Sequence, residues 1–588
     1  MNKSKKDIGV VLHDRHASFR VWAPFAQAVA ATGMFNGWGR TPLASEGDGY
    51  WAADVKHVEA GQEYKFVITT PDGREIFRND PRALHVLTNQ GNSVVVDTSF
   101  AWESDDFTPP PLNQQVMYEL HVGTFNRTDP ASPGTFHTVQ EKLDYLADLG
   151  VNMIELMPIG SMTGDHGWGY ASDYIYAIES LYGGRREFLE LVKAAHARGI
   201  GVVLDVVYNH FGPMNLDLWQ FDGWSQDGKG GIYFYNDWRS NTPWGENRPD
   251  YGRVEVQSYI LDNVRMWMQE CHLDGLRVDS TGFIRTVYGH NDDPSNDIPE
   301  GWYLLQRINR LARKIKPSAV LIAEDFSGNE YITKPENDGG AGFSAQWEVN
   351  LPYVLKSTLE SADDAGRNLS FVSSALARRY NGDAFQRVIY SDSHDSDANG
   401  AARLSEEISP GNPGSIYAQR RSLLAASIVL TAPGVPMLFQ GQEFVEGGSF
   451  NDWDALDWTR AEKFKGLVLA HKHLIGLRKN QYGNTRGLTG QSFKILHQNE
   501  ESKVLSYHRW DQGGAGDDVI IILNFANRTQ KDYFVGFPRT GVWRVRFNSD
   551  WKGYSSAFKE MPISEVNVEG DGASVQLAPY SVLILSQD

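Results

Sequence analysis

The 588-residue sequence contains a single cysteine, Cys271, so the fold must be stable without an internal disulfide bond. It also lacks any uninterrupted apolar run of about 18 residues, the length that a transmembrane helix requires. The N-terminal segment MNKSKKDIGV is basic and has none of the apolar core that marks a secretory signal peptide. We therefore expect a soluble, cytoplasmic protein with no membrane partner.

Basic residues are too few to balance the acidic ones. The chain has 55 Lys and Arg against 74 Asp and Glu, which gives a formal net charge of −19. A protein with this charge repels the phosphate backbone, so we expect no nucleic acid partner. Aromatic residues, in contrast, are abundant at 12%, with 17 Trp among them. Flat apolar rings are one means by which proteins bind the C–H faces of sugars, so this abundance hints at a carbohydrate ligand.

The chain is long enough for about three folded units, because domains usually contain roughly 100–200 residues. Between Ser18 and Asp97, short alternating strands are separated by the turn signals NGWG and PDG, which predicts an antiparallel β-sandwich. The three prolines of DDFTPPP (105–111) can join neither a sheet nor a helix and mark a boundary. After Gly483, strand-like runs return at short spacing. The predicted units are a β-sandwich at 1–105, a central domain at 112–484 and an all-β sandwich at 485–588.

The central domain alternates strand-length apolar runs with amphipathic helical patterns. There are eight such runs: Val116–Val122, Val151–Leu156, Gly201–Val207, Gly275–Asp279, Val320–Glu324, Phe343–Glu348, Arg387–Ser391 and Val435–Phe439. The pattern predicts a multidomain α/β protein built around a (β/α)₈ TIM barrel, whose active site lies at the carboxyl ends of the strands. An open doubly wound sheet is the alternative fold, but no glycine-rich phosphate-binding motif follows any of these runs.

Several predicted strands end in polar residues. These residues are Asp205, Asn209 and His210 after the third strand, Arg277 and Asp279 in the fourth, Glu324 in the fifth, and His394 and Asp395 after the seventh. Any one of the carboxylates alone is equally well explained as a structural ion pair. A carboxylate that ends a buried strand is not, however, a solvated surface group, and four strands share the feature. We therefore expect the side chains to meet at one rim of the barrel.

Paired carboxyl groups at such a rim suit the cleavage of a glycosidic bond. Retaining glycosidases place two carboxyl groups about 5–5.5 Å apart and form a covalent glycosyl-enzyme. Asp279 and Glu324, on neighbouring strands, fit this requirement. Arg277 faces the same side of its strand as Asp279 and is expected to keep that carboxylate ionised. Glu324 needs a pKa raised by burial and negative neighbours. This chemistry requires no metal and no cofactor, and we expect neither.

The ordered motifs DVVYNH (205–210), GLRVDS (275–280), AED (323–325) and SHD (393–395) resemble the four signature regions of the α-amylase family, glycoside hydrolase family thirteen. The segment FRVWAP…FNGW resembles the early-set carbohydrate-binding module of glycogen branching enzymes, isoamylases and maltooligosyltrehalose trehalohydrolases. The resemblance implies that Asp279 is the nucleophile, Glu324 the general acid/base and Asp395 the residue that stabilises the distorted sugar. It also implies a set of substrate-binding residues, which are Tyr170, Asp205, His210, Arg277 and His394.

The activity within the family is left open by mixed signatures. TPWG (242–245) resembles trehalohydrolases, whereas DYGRVEV (250–256) resembles branching enzymes, and Ser396 stands where both place a polar amide or acid. We expect double displacement on α-1,4-glucan with transfer of the branching-enzyme type. The alternatives are hydrolysis as an α-amylase or a trehalohydrolase, and a non-catalytic glucan-binding scaffold. The sequence predicts no particular oligomeric state.

Aromatic residues cluster in the segment after the third strand, where we expect them to contact sugar. They are Trp219, Trp224, Tyr233, Phe234, Tyr235, Trp238 and Trp244. In the N-terminal module we expect most rings to fill the core, because a small sandwich needs large apolar side chains. Those rings are Trp22, Phe35, Trp38 and Trp51.

Overall fold

The computed structural model describes residues 8–588 apart from 15, 88–90, 104, 163, 165 and 213–215. Most of the N-terminal segment on which the cytoplasmic location was predicted, residues 1–7, lies outside the described residues. Within the described ranges, no helix combines the length and the apolarity needed to cross a lipid bilayer.

The N-terminal part of the chain is a β-sandwich of two antiparallel sheets. One sheet contains Gly9–His13, His16–Trp22, Ala44–Gly47 and Tyr50–Lys56; the other contains Ala28–Gly33, Thr41–Pro42, Glu63–Thr69, Glu75–Arg78 and Ser93–Val94. The buried ring of Phe19 from the first sheet meets Tyr64 and Phe66 of the second edge to face. These contacts form the core between the sheets, as the alternating pattern predicts.

A closed barrel of eight parallel strands follows. Barrel strands one to eight are Met117–Leu120, Met153–Leu156, Gly201–Val206, Gly275–Val278, Val320–Ala323, Ala345–Trp347, Arg387–Ile389 and Val435–Phe439. The barrel closes where strand eight pairs with strand one, with Met437 opposite Met117. All eight predicted strands are confirmed, because strands buried on both faces carry continuous apolar runs.

Helices surround the barrel, and most of them bury apolar side chains. They are Val122–Phe125, Phe136–Gln140, Leu143–Leu149, Gly184–His196, Val254–Arg265, Thr281–Arg285, Pro299–Ile315, Asn350–Glu360, Leu369–Ala377, Leu404–Ile408, Ile416–Thr431, Thr459–Lys463 and Lys465–Arg478. The helix Val254–Arg265 continues as a π-helical turn, Met266–Glu270, and the chain then reaches Cys271. This thiol is buried, and burial raises its pKa to about 12.

The barrel interior is filled by a contiguous cluster of buried side chains from seven of the eight strands, including Met117, Met153, Val203, Ile322 and Trp347. Side chains from so many strands can touch one another only inside the barrel. The interior is therefore a packed core, and ligands must bind at a rim.

The N-terminal sandwich packs against the segment after barrel strand three. Phe25 stacks on Trp224 with ring centroids 4.4 Å apart, and Trp22 meets Tyr233 edge to face at 5.6 Å. The backbone N–H of Phe25 donates to Asp222 at 2.9 Å. Aromatic packing and hydrogen bonds thus attach the sandwich to the barrel.

The C-terminal part is all β. Its larger sheet contains Ser492–Asn499, Val504–Trp510, Val519–Asn524, Gly541–Asn548, Glu565–Val568 and Ser581–Ser586, and its smaller sheet pairs Gln530–Gly536 with Gly572–Leu577. Buried residues of both sheets, such as Ile520 and Val575, share one hydrophobic cluster. The return of alternating strands after the barrel is confirmed.

Candidate active site

Arg277 organises the carboxylates at the carboxyl ends of the barrel strands. Its fully buried guanidinium lies on strand four, where Nη1 is 2.7 Å from Asp205 Oδ2 and 2.9 Å from Asp279 Oδ1. Its Nη2 is 3.1 Å from Glu324 Oε1. The indole of Trp347 on strand six lies against the guanidinium, with its ring centroid 4.4 Å from Cζ. One cation therefore holds three carboxyl groups from strands three, four and five within a few ångströms of each other.

Asp279 is buried and receives two further contacts from one side chain. Asn209 Nδ2 donates to Asp279 Oδ2 at 2.5 Å and to its backbone oxygen at 3.0 Å. Burial raises the pKa of Asp279, and Arg277 offsets only part of that rise. The effect of Arg277 has the predicted direction, because its charge lowers the pKa of Asp279, but burial outweighs it. Asn209 is therefore a hydrogen-bond donor within the group of polar residues at the strand ends.

Glu324 faces Asp279 from the neighbouring strand. The backbone N–H of Ser280 donates to Glu324 Oε2 at 2.7 Å, from a residue in the left-handed region with φ of 40°. Burial raises the pKa of Glu324 to about 8, and the charges of Asp279 and Asp395 add to the rise against the opposing effect of Arg277. The predicted direction of this pKa is confirmed. At neutral pH the pair accordingly holds a proton on Glu324.

Tyr170 and His394 form one wall of the site. The hydroxyl of Tyr170 donates to Asp205 Oδ2 at 2.6 Å and lies 2.8 Å from His394 Nε2, and the two rings stack at 5.3 Å. The other ring nitrogen of His394 lies 2.5 Å from Glu119 Oε1 on strand one. Burial alone would lower the pKa of His394, but Glu119 and Asp395 outweigh it and raise that pKa to about 9. His394 is therefore an imidazolium at neutral pH.

His210 and Asp395 complete the group of predicted residues. Burial lowers the pKa of His210 to about 4, so its ring is neutral, and Trp244 stacks on it at 4.5 Å. Asp395 Oδ1 lies 3.5 Å from His394 Nε2, and the side chain is 45% exposed. Asp395 is thus the one carboxylate of the group that is open to solvent and to a ligand. The structure brings all eight predicted residues to one rim.

The sequence analysis missed two acidic residues inside the barrel. Glu119 on strand one contacts His394 through its side chain and also accepts from the backbone N–H of His394 at 3.1 Å. Glu155 on strand two is buried, and burial together with the nearby charge of Glu119 raises its pKa well above the ordinary value. Both residues interrupt apolar strand runs, YEL and IEL. A charged residue within a buried strand requires a partner, and that signal was available in the sequence.

The expectation for the aromatic cluster after strand three is largely wrong. Tyr233, Phe234 and Tyr235 are buried, and Trp219 and Trp224 pack against the same core. The N-terminal sandwich covers part of this segment and supplies the core that the sequence did not reveal. Trp238 and Trp244 remain exposed. Among the described residues, no group of three or more His, Cys, Asp or Glu side chains is arranged to hold a metal ion.

Three family models match the chain. The α-amylase catalytic domain matches residues 120–220 and 217–465, and the C-terminal all-beta domain of α-amylase matches 495–588. Carbohydrate-binding module 48, the isoamylase N-terminal domain, matches residues 7–83. The three matches follow the order of the sandwich, the barrel and the C-terminal sheets.

Related proteins match along most of the chain. A 1,4-alpha-glucan branching enzyme of Lactobacillus acidophilus is 32% identical over 576 residues, which cover 92% of this chain and 87% of the relative. Another, of Corynebacterium efficiens, is 29% identical over 601 residues, with 95% and 78% covered.

Solved structures share the fold. The type I pullulanase of Bacillus subtilis, complexed with maltose, superposes with a TM-score of 0.78 at 22% identity, over 99% of this chain and 85% of that one. A pullulanase of Anoxybacillus complexed with maltotetraose gives a TM-score of 0.75 at 20% identity, over 99% and 87%. The three domains follow the family models in order, the catalytic-domain model covers more than half of the chain, and the chain belongs to the α-amylase family.

Proposed function

We propose that this protein is a 1,4-α-glucan branching enzyme, which cleaves an α-1,4 bond and transfers the released chain to a 6-hydroxyl. The relatives that match most of its length carry that name. The observation that carries the chemical part is the guanidinium of Arg277, which contacts both Asp279 and Glu324. Carboxyl groups bridged by one guanidinium are neighbours, which favours a retaining mechanism over the wider spacing of inverting enzymes.

In the first step, Asp279 attacks the anomeric carbon and forms a covalent glycosyl-enzyme. Glu324 donates its proton to the departing oxygen, and its pKa of about 8 means that the proton is present at neutral pH. Departure of that proton leaves Glu324 charged and ready to act as a base in the second step. The proposal thus assigns both roles, the acid of the first step and the base of the second, to the carboxyl group of Glu324.

The remaining predicted residues bind the glucose unit that is attacked. In this proposal, the ring of Tyr170 packs against the sugar face, and the hydroxyl-binding groups are Asp205, His210, Arg277 and His394. The imidazolium of His394 and the neutral ring of His210 provide donors of different charge. The exposed carboxylate of Asp395 accepts hydrogen bonds from the sugar hydroxyls as the ring distorts.

In the second step, a 6-hydroxyl of another glucan chain attacks the glycosyl-enzyme. Glu324 takes the proton of that hydroxyl, the bond to Asp279 breaks and an α-1,6 linkage forms. A bound acceptor chain is present at a high effective concentration and competes with water. The binding partner in this proposal is an α-glucan. We also propose the domain bounds that the sequence predicts, which are 1–105, 112–484 and 485–588. We further propose a cytoplasmic location, which cell fractionation would test.

Incubation with amylose tests the proposed activity. We expect new α-1,6 linkages, measured by their anomeric proton signals and by digestion with a debranching enzyme, with few new reducing ends. Reducing ends that rise with chain shortening, without α-1,6 linkages, would indicate a hydrolase. Release of trehalose from a maltooligosyltrehalose would instead indicate a trehalohydrolase.

A further inference from the structure

A cleft of about 380 Å³ opens beside Asp395 at the rim of the barrel. Its volume falls in the range of roughly 300–1,000 Å³ that small-ligand pockets occupy. Asp395, Ser396 and Tyr390 come from the region of strand seven, and Phe326 follows Glu324 by two residues. The proposed catalytic residue Asp395 therefore lines the cleft, and Phe326 brings the cleft wall within two residues of Glu324 along the chain.

The opposite wall of the cleft is one face of the helix Asn350–Glu360, called here the cleft helix. Pro352, Tyr353, Lys356 and Glu360 of this helix line the cleft. Tyr353 is 74% exposed, and Phe326 is also exposed. Apolar rings exposed along a cleft that also carries charged groups match the two needs of a sugar chain, which has C–H faces and hydroxyl edges.

The cleft lies on a different sector of the rim from the glucose-binding residues. Tyr170, Asp205 and His210 follow barrel strands two and three, whereas the cleft is built from the segments after strands five, six and seven. Asp395 lines the cleft, and Tyr390 in the cleft is within electrostatic range of both Glu324 and Asp395. A sugar in the cleft would thus lie near Glu324 and Asp395, on a different part of the rim from Tyr170.

One partly buried cation, Lys356, connects two walls of the cleft. Lys356 Nζ lies 2.5 Å from Asp397 Oδ1 and donates to the backbone oxygens of Ser396 at 2.6 Å and Ala402 at 2.8 Å. These contacts join the cleft helix to the loop that carries Asp395. They therefore fix the position of the cleft helix relative to the carboxylate of Asp395.

We propose that this cleft binds the acceptor glucan chain, with Tyr353 as a stacking platform that brings the 6-hydroxyl to Glu324. The inference rests on the proposed function, because it names the second substrate of the same site. The chemistry requires such a location: the hydroxyl that attacks the glycosyl-enzyme must lie next to Glu324 and on the face opposite Asp279. The proposed acceptor site is separate from the aromatic segment after strand three, whose rings are mostly buried.

The test compares Tyr353→Ala with Tyr353→Phe and with Phe371→Ala. Phe371 is 63% exposed on the adjacent helix Leu369–Ala377 and does not line the cleft, so it is a matched control. With amylose as substrate, Tyr353→Ala should lower the ratio of α-1,6 linkages to reducing ends about five- to tenfold. Tyr353→Phe keeps the ring and should stay within twofold of the wild type, as should Phe371→Ala.

A second measurement separates transfer from donor cleavage. With a maltooligosyl fluoride as donor, fluoride release reports formation of the glycosyl-enzyme, and the loss of transfer in Tyr353→Ala should exceed any loss of fluoride release. Wild-type branching with an unchanged ratio in Tyr353→Ala would overturn the cleft assignment and leave the proposed function standing. Wild-type enzyme that forms only reducing ends would overturn the proposed function, and the acceptor assignment with it.

Discussion

At the scale of single residues, the chemistry of the site depends on which carboxyl group carries a proton. Three carboxyl groups around Arg277 carry more negative charge than one guanidinium neutralises, and they do so in a buried environment. Burial disfavours the charged form of a carboxyl group, so a proton is retained. Burial and the charges of Asp279 and Asp395 outweigh Arg277 and leave that proton on Glu324. The arrangement is suited to an acid that acts beside an ionised nucleophile.

Replacing Asp279 by Asn tests the proposed nucleophile. The amide keeps the shape of the side chain but cannot form the glycosyl-enzyme, so turnover on amylose should fall at least ~10³-fold with little change in glucan affinity. Single-turnover kinetics and glucan binding measure the two quantities. Turnover within about tenfold of the wild type would contradict the assignment.

The pH dependence of the reaction tests Glu324. An acid must be protonated to act, so kcat/KM on amylose should fall as the pH rises through about 8. A maltooligosyl fluoride needs no proton on its leaving group, so Glu324→Gln should lose much less activity on the fluoride than on amylose. Equal losses on the two substrates would show that Glu324 is not the acid.

Glu119 is predicted to control the charge of His394. The pKa of His394 is raised to about 9 in the folded protein, so its contribution to stability is complete below the unfolded value of about 6.5 and is lost as the pH rises through about 9. In Glu119→Gln, the pKa of His394 should fall, as measured by the NMR titration of its ring. The stability deficit of the variant should be largest below about pH 6.5 and shrink above pH 9. A deficit independent of pH would contradict this role.

The sequence was sufficient to predict which polar residues reach the rim, because strand order and side-chain alternation determine that. It was insufficient to predict their proton affinities. Arg277 and Asp279 are two residues apart on one strand, so their contact follows from the sequence. The competition of Asp205 and Glu324 for the same guanidinium depends on distances between strands, and so does the ion pair of His394 with Glu119.

At the scale of elements, the barrel strands were predictable and the surroundings of the segment after strand three were not. Continuous apolar runs identify strands that are buried on both faces. The rings of Tyr233 and Trp224 carry no local sign that a separate domain covers them, and their contacts with Trp22 and Phe25 join residues about 200 positions apart. Tertiary packing between domains therefore escaped the sequence pattern.

Gly275 at the start of barrel strand four should be sensitive to substitution. A methyl group at this position would collide with the backbone oxygen of Val320 on strand five, which cannot move without disturbing the sheet. Gly275→Ala should lower the free energy of unfolding by about 1–3 kcal/mol or more. Gly536→Ala is the control, because the added methyl group would lie at an ordinary 3.6 Å from the nearest atom, the backbone oxygen of Asp571. Equal thermal unfolding midpoints for the two variants would contradict the collision.

At the scale of the whole molecule, the N-terminal sandwich is a structural part of the barrel surface. Arg78 donates to the backbone oxygens of Phe221 and Gln220, and Arg82 forms an ion pair with Asp262 at 3.0 Å. Together with the stacked rings, these contacts cover apolar surface that the barrel would otherwise expose.

Deletion of residues 1–105 should accordingly reduce solubility and thermal stability, because Trp224 and Tyr233 lose the partners that cover them. Light scattering and thermal unfolding measure the two effects. Trp38→Ala, which removes an exposed ring of the same sandwich, is the control and should change neither. A monomeric deletion variant with an unchanged unfolding midpoint would show that the sandwich is only an appended module.

The buried position of Cys271 has a practical consequence for measuring glucan binding by fluorescence. Its thiol is enclosed, and its pKa of about 12 leaves almost no thiolate at neutral pH, so maleimide reagents should not modify the native chain. Since the sequence has no other cysteine, Ser357→Cys would introduce a unique reactive position on the cleft helix and would keep the ring of Tyr353. A fluorophore attached there would report the arrival of a glucan chain in real time, without removal of any native thiol.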